Sequence, residues 1–185
     1  MSELVKKEAT YEDLYEIPEN MVGEIIEGEL HAFPRPSFRH SNVESGLAEI
    51  RIPYQHGRGG PGGWILLIEP EILLGKSVLV PHLAGWKKER LPHPPETNWT
   101  SVVPDWVCEI LSPASVRIDR VRKMNIYSRD AVPYAWLVDP VAETLEVFRL
   151  ENGRWSLILT AAGDDKVRAE PFDEIEIDLG SLWWR

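Results

Sequence analysis

The sequence predicts a mixed α/β protein, an α+β chain built on a central mixed sheet flanked by helices. Three observations carry that prediction. Strand-like runs crowd the first two thirds of the chain, and a stretch of helical composition at 115–130 separates the buried strand patterns at 102–111 and 132–139. Antiparallel hairpin patterns sit near both ends, at 23–33 and 144–160.

Each element follows in order. Thr10 followed by Asp13 marks a helix N-cap, and Pro18 ends that short helix. "GEIIEGELHAF" (23–33) reads as two strands joined at Glu27-Gly28, with glycine supplying the turn. "RHSNVESGLAEIRI" (39–52) reads as a helix stopped by Pro53. The glycines of "HGRGGPGG" (56–63) are followed by no Gly-Lys-Ser/Thr, so they form a flexible connection and not a P-loop. "WILLIEPEILL" (64–74) and "SVLVPHLAGW" (77–86) read as strands, and a proline-rich loop containing "LPHPPET" follows. The helix of "SVRIDRVRKMNIYSRD" should turn Ile118, Val121 and either Met124 or Ile126 inward. It is long enough to bring "VPYAWLVD" (132–139) parallel to the strand before it, through a right-handed crossover. "TLEVFRL", the turn "ENG" and "RWSLILT" close the chain as an antiparallel hairpin.

Composition bounds the rest. With 185 residues, 43% hydrophobic and 27% charged, the chain suits one globular domain over 1–185, with eight tryptophans to supply core area. No run approaches the roughly 18 apolar residues of a membrane span. The charged opening "MSELVKKEATYEDL" is unlike a signal peptide and points to the cytoplasm. Cys108 is the only cysteine, so an internal disulfide is excluded; in its strand it reads as a small hydrophobe. The net charge of -10 counts against nucleic acid as a partner, but the charge is unevenly spread. Residues 1–30 carry net -7 and 141–185 net -5, while 31–140 carry net +2.

The candidate site lies in that middle segment. In "VPDWVCEILSP" (103–113), Glu109 sits among residues that look buried on both faces of a strand. A lone ionised carboxylate there costs several kcal/mol or more unless it is paired. A buried base, a hydrogen-bond network or a metal ion would each account for it. Asp105 is too far along the strand to share a small cation with Glu109, since four residues span ~13 Å and ligand bonds are ~2.1 Å. It should instead open the strand or fix the preceding loop. A neighbouring strand is a better source, and "SVLVPHLAGW" offers His82. Glu69 and Glu71, one strand earlier, could lend a carboxylate or lie on an exposed edge. Asp119, Lys123 and Tyr127 recur every four residues on the helix leaving the Glu109 strand. That stripe is either a wet Asp–Lys face or a device that folds Lys123 back toward Glu109. A buried carboxylate beside an ammonium and a divalent ion would activate water.

Several stretches together resemble the bacterial Uma-two family of restriction endonucleases, within the PD-(D/E)XK nuclease superfamily. They are "YEDLYEIP", "GEIIEGELHAFPRPSFRH", "VLVPHLAGW", "VPDWVCEILSP", "IDRVRKMNIYSRDAVPYAWLVDP" and "LEVF". The resemblance implies a restriction-endonuclease-like fold and a Mg²⁺ or Mn²⁺ site for phosphodiester hydrolysis, with DNA as partner. It makes Glu109 the acid of the (D/E)XK half. Leu111 stands where the usual lysine would be, so Lys123 is expected to substitute for it. His40 also matches a family position, without an assigned role.

One position departs from the pattern. The family's metal-binding aspartate belongs in "VPDLAGW", and here His82 occupies it. A neutral imidazole weakens an Mg²⁺ site, which prefers oxygen. The site is then retuned to Mn²⁺ or another transition metal, completed by Glu69 or Glu71, or impaired. The expected catalytic set is Glu109, Lys123 and His82; the expected metal set is His82, Glu109 and Glu71. His40, Asp119 and Tyr127 stand nearby. The function expected is a divalent-metal-dependent DNA endonuclease, with homodimer formation open. The alternative is a catalytically defective relative serving as a binding or assembly module. A small-phosphoester hydrolase is a third reading.

Overall fold

A computed structural model describes residues 8–185. The charged opening on which the cytoplasmic expectation rests lies, for residues 1–7, outside the described residues. Among the described residues no helix is long and apolar enough to cross a membrane.

The first element is the expected short helix, Tyr11–Glu16, which takes the tighter 3₁₀ form. Asp13 Oδ2 accepts from the Thr10 amide at 2.7 Å, which fixes its start. Strands β1 (Met21–Ile26) and β2 (Glu29–Pro34) form the expected hairpin. Glu27 and Gly28 both take positive φ in its turn, which is where glycine has its use. Helix α1 (Phe38–Ala48) starts at Ser37, whose side chain accepts from the His40 amide. The run to Pro53 does not stay one helix. It breaks at Glu49-Ile50 and restarts as α2 (Arg51–Tyr54). Pro53 is tolerated there because first-turn amides need no helical acceptor.

The two long strand runs also break, and these breaks shape the fold. The first becomes β3 (Trp64–Ile68) and β4 (Glu71–Leu74), split at Glu69-Pro70 with Glu69 at φ +47°. The second becomes β5 (Ser77–Leu79) and β6 (Leu83–Lys87), split at Val80-Pro81-His82. Proline has no amide to give a ladder, so each break passes the chain from one sheet to another. The expected mixed fold is thus built on a five-stranded and a six-stranded sheet. After β7 (Trp99–Thr100) and β8 (Trp106–Ile110) the chain forms a π-helical turn, Ile118–Lys123, and then α3 (Met124–Arg129). Strands β9 (Tyr134–Asp139), β10 (Thr144–Glu151) and β11 (Arg154–Ala162) complete the larger sheet. Short β12 (Lys166–Val167) and β13 (Ile177–Asp178) pair with each other, and a 3₁₀ turn, Leu179–Leu182, follows.

The five-stranded sheet runs β2-β1-β5-β4-β7 and the six-stranded sheet β11-β10-β9-β8-β6-β3. Strands β8 and β9 are parallel, joined through the π turn and α3 as the crossover pattern predicts. Alternation along β8 sends Trp106, Cys108 and Ile110 to one core cluster and Val107 to the other. The expectation for Val121 is corrected. It is 54% exposed, because the π turn directs Asp119 and Lys123 inward instead, while Met124 and Ile126 are buried.

Candidate functional site

The site forms where the chain changes sheets. The crossings at Glu69-Pro70 and Val80-Pro81-His82 lie side by side, the Glu69 amide donating to the His82 carbonyl at 3.0 Å. Strand β6 pairs with β8 through Leu83 and Cys108, so the next step along the antiparallel register sets His82 opposite Glu109.

Glu109 is fully buried and fully engaged. Its Oε1 accepts from Tyr127 Oη at 2.6 Å and lies 2.9 Å from Lys123 Nζ; its Oε2 meets His82 Nδ1 at 2.8 Å. The polar stripe is therefore no wet face, since Asp119, Lys123 and Tyr127 are all buried. Lys123 folds back as a bridge between sheets, with Glu24 Oε1 of β1 also at 2.9 Å and Asp119 Oδ1 at 3.6 Å.

The charges in this cluster are set by competition. Burial alone would push the Lys123 ammonium down. Glu109, Glu24 and Asp119 outweigh that and hold it above the ordinary lysine value. Burial raises Glu24 and Asp119, and the Glu109 charge raises them further against the pull of Lys123. Burial, reinforced by Glu109, also raises the Tyr127 phenol, which stays a donor. His82 is lowered to about 4, by burial and then by the Lys123 charge. His40 is lowered to about 3, by burial and then by His82, whose ring centroid is 4.4 Å away. Both imidazoles are neutral at pH 7.

The tautomer of His82 follows from its contacts. Glu109 Oε2 at 2.8 Å and the Ile110 amide at 3.2 Å converge on the same Nδ1. One nitrogen cannot donate to the carboxylate and accept from the amide at once. The shorter, charge-assisted bond keeps the proton on Nδ1 and leaves Nε2 with a lone pair. Glu109 thereby orients His82 as a carboxylate orients a ligand or base imidazole.

Glu24, His40, His82, Asp119 and Lys123 line a pocket of about 280 Å³ with Glu69 and Ser112 among others, while Glu109 and Tyr127 are fully buried and not part of its wall. Asp119 Oδ2 and both ring nitrogens of His40 are buried without a hydrogen-bond partner. Among the described residues no three His, Cys, Asp or Glu side chains are arranged to hold a metal ion. A preassembled cage is not what Mg²⁺ ordinarily uses. It takes one or two carboxylates and completes its shell with water and substrate phosphate. Three carboxylates around one ammonium, one of them with an orphaned oxygen, suit a divalent cation of that kind.

The structure thus brings Glu109, Lys123, His82, His40, Asp119 and Tyr127 together. It does not bring Glu71, which corrects its place in the expected metal set. Glu71 accepts from the Tyr11 hydroxyl away from this pocket, because the break at Pro70 puts β4 in the other sheet. Its neighbour Glu69, at the crossing itself, lines the pocket. Asp105 accepts from the Lys87 amide and from Arg90, fixing the loop before β8 as expected. Two acids are not apparent from the sequence pattern as site residues. Glu24 carries the same signal as Glu109, an acid inside an apolar strand. Glu44 lies one helical turn after His40 on α1, and burial, then Glu69, push it up to about 7.

Such an architecture is that of a nuclease-type fold. A solved structure described as a putative nuclease belonging to DUF820, from Anabaena variabilis ATCC 29413, superposes with a TM-score of 0.72 at 22% identity; the match covers 95% of this chain and 97% of that one. The family model "Uma2: Putative restriction endonuclease" matches residues 9–180, and the chain belongs to that family. No curated protein matches the chain.

Proposed function

We propose that this chain is a divalent-metal-dependent DNA endonuclease, hydrolysing phosphodiester bonds at the pocket beside Glu109. The observation that carries the reading is the buried Lys123 ammonium, 2.9 Å from both Glu109 and Glu24, on the wall of a pocket that His82 shares. Glu109, His82 and Asp119 are the groups that would hold Mg²⁺ or Mn²⁺, and Glu71 is not among them. The bound ion would acidify its water and offset phosphate charge. Lys123 supplies fixed positive charge beside the reacting phosphate in a low-dielectric wall. Tyr127 fixes the Glu109 carboxylate, and Glu109 fixes His82. With its proton held on Nδ1, His82 would offer Nε2 to the ion.

The imidazole at position 82 favours Mn²⁺, whose tolerance for nitrogen donors exceeds that of Mg²⁺. Nicking of supercoiled plasmid tests this. The native chain is expected to cut faster with Mn²⁺ than with Mg²⁺, Glu109→Gln to abolish cutting, and His82→Asp to shift preference toward Mg²⁺. Cutting that survives Glu109→Gln would sink the residue assignment. The same histidine supports the second reading, a defective relative retained for binding or assembly. That reading wins if the native chain is inert with both metals and His82→Asp creates cleavage.

A further inference from the structure

Phe38 is 83% exposed and Trp184 is 57% exposed. Single exposed hydrophobic side chains are ordinary on a protein surface. These two are a pair, with ring centroids 6.2 Å apart and planes at 79°. Among the described residues theirs is the only ring pair in which both partners are exposed. The pair is held in place from both sides. Asn42 of α1 donates to the Leu182 carbonyl at 2.8 Å, and Trp183 Nε1 donates to the Gly163 carbonyl at 2.6 Å. Gly46 lets α1 lie against the final turn, since a Cβ there would stand 2.6 Å from Leu182 Cδ2. Arg185 is tied to Asp164 and Glu143.

Phe38 opens α1, the helix whose third residue, His40, lines the pocket together with Pro36 and Ser37 of the preceding turn. Arg90, Arg120, Arg122 and Arg129 of the basic middle segment are each paired with carboxylates. Arg35 and Arg39, which bracket Phe38, are exposed and, like Lys87, Lys88 and Arg117, form no ion pair among the described residues. Arg35 gives one bond, to the Glu19 carbonyl, and itself lines the pocket.

We infer that Phe38 and Trp184 form a stacking platform for an unpaired nucleobase, with Arg35 and Arg39 on the flanking phosphates, so that the strand entering the pocket is single-stranded or locally opened nucleic acid. This rests on the phosphodiester reading above and adds the form of the substrate. Stacking suits this chain because its net charge of -10 leaves little long-range attraction for a duplex. Aromatic stacking on a base needs no such field, and each stacked base contributes roughly 5- to 150-fold in affinity. Two phosphate contacts on a single strand give a salt slope of only about -1.4.

The test is binding of a fluorescein-labelled 12-mer of dT, and of a duplex of equal length, to the full chain in EDTA, where cutting is suppressed. The single strand should bind more tightly than the duplex, with the shallow slope given above. Trp184→Ala and Phe38→Ala should each weaken it about 10-fold, while Trp184→Phe retains most of the affinity; circular dichroism checks that each variant is folded. An abasic 12-mer should bind the native chain and Trp184→Ala equally weakly. Equal dT affinity of native and both alanine variants removes the platform while leaving the endonuclease reading intact, as does preference for duplex with a steep slope. A dimer in sedimentation that Trp184→Ala dissolves assigns the patch to a second copy instead. Binding of neither nucleic acid in EDTA overturns the platform, and absence of both binding and cutting once Mn²⁺ is restored overturns the endonuclease reading as well.

Discussion

Strand β8 carries two cores on its opposite faces, and both are sealed from water. On one face Trp106 meets Trp136 and Phe172 edge-on, at centroid distances of 5.2 and 4.8 Å. On the other, Glu109 is held by Tyr127, Lys123 and His82. The aromatic face stabilises by removing apolar area from water, a term that tolerates small shifts. The charged face gains little net energy from its pairs, because desolvating each ion costs several kcal/mol. It is stable only as a complete set. The difference teaches where function can sit: the face that is costly to maintain is the one that puts ionisable side chains in a pocket wall.

Breaking each face separates these descriptions. Lys123→Met leaves Glu109, Glu24 and Asp119 buried around no cation, with an expected loss of about 3–5 kcal/mol in urea unfolding. Adding Glu109→Gln to it should recover part of that loss, with a coupling of roughly 1–3 kcal/mol. Strictly additive losses would show that the cluster does not act as a unit. Phe172→Ala, on the aromatic face, should cost a similar 3–5 kcal/mol or so. It should leave Mn²⁺ binding, read by calorimetry, unchanged, whereas Lys123→Met should alter it. Tyr127→Phe strips one donor from Glu109 and should cost about 1–3 kcal/mol, visible as a lower midpoint of thermal unfolding.

The smallest effect concerns pH. Glu44 has its folded pKa pushed up to about 7, so between the ordinary carboxyl range and that value the native state binds the extra proton. Stability from this group therefore falls as pH rises toward 7 and levels off above it. His40 and His82 act oppositely: lowered to about 3 and about 4, they are neutral in the fold, and stability falls as pH drops below the ordinary histidine value near 6.5. The two effects oppose each other over the same acid range, so in a pH series of urea midpoints Glu44→Gln should steepen the loss of stability as pH falls from 7 toward 4.5, and His40→Gln should flatten it. Unchanged limbs in both variants would assign the pH dependence elsewhere.

Much of this is legible from the letters. An acid between Cys108 and Ile110 can persist only if something neutralises it, and the four-residue spacing of Asp119, Lys123 and Tyr127 puts candidates on one face. The hairpins follow from Glu27-Gly28 and Asn152-Gly153, because local backbone preference suffices to fix a tight turn. Local pattern does not reveal which sheet a strand will join. Glu69 and Glu71 look equivalent in sequence, yet the proline between them sends one to the pocket and the other to Tyr11. Glu24 likewise meets Lys123 only because β1 packs across the sheet boundary. Periodicity and turn chemistry act over a few residues and are written in order along the chain. The partners of a buried charge are chosen by packing between distant segments, and only the folded chain decides them.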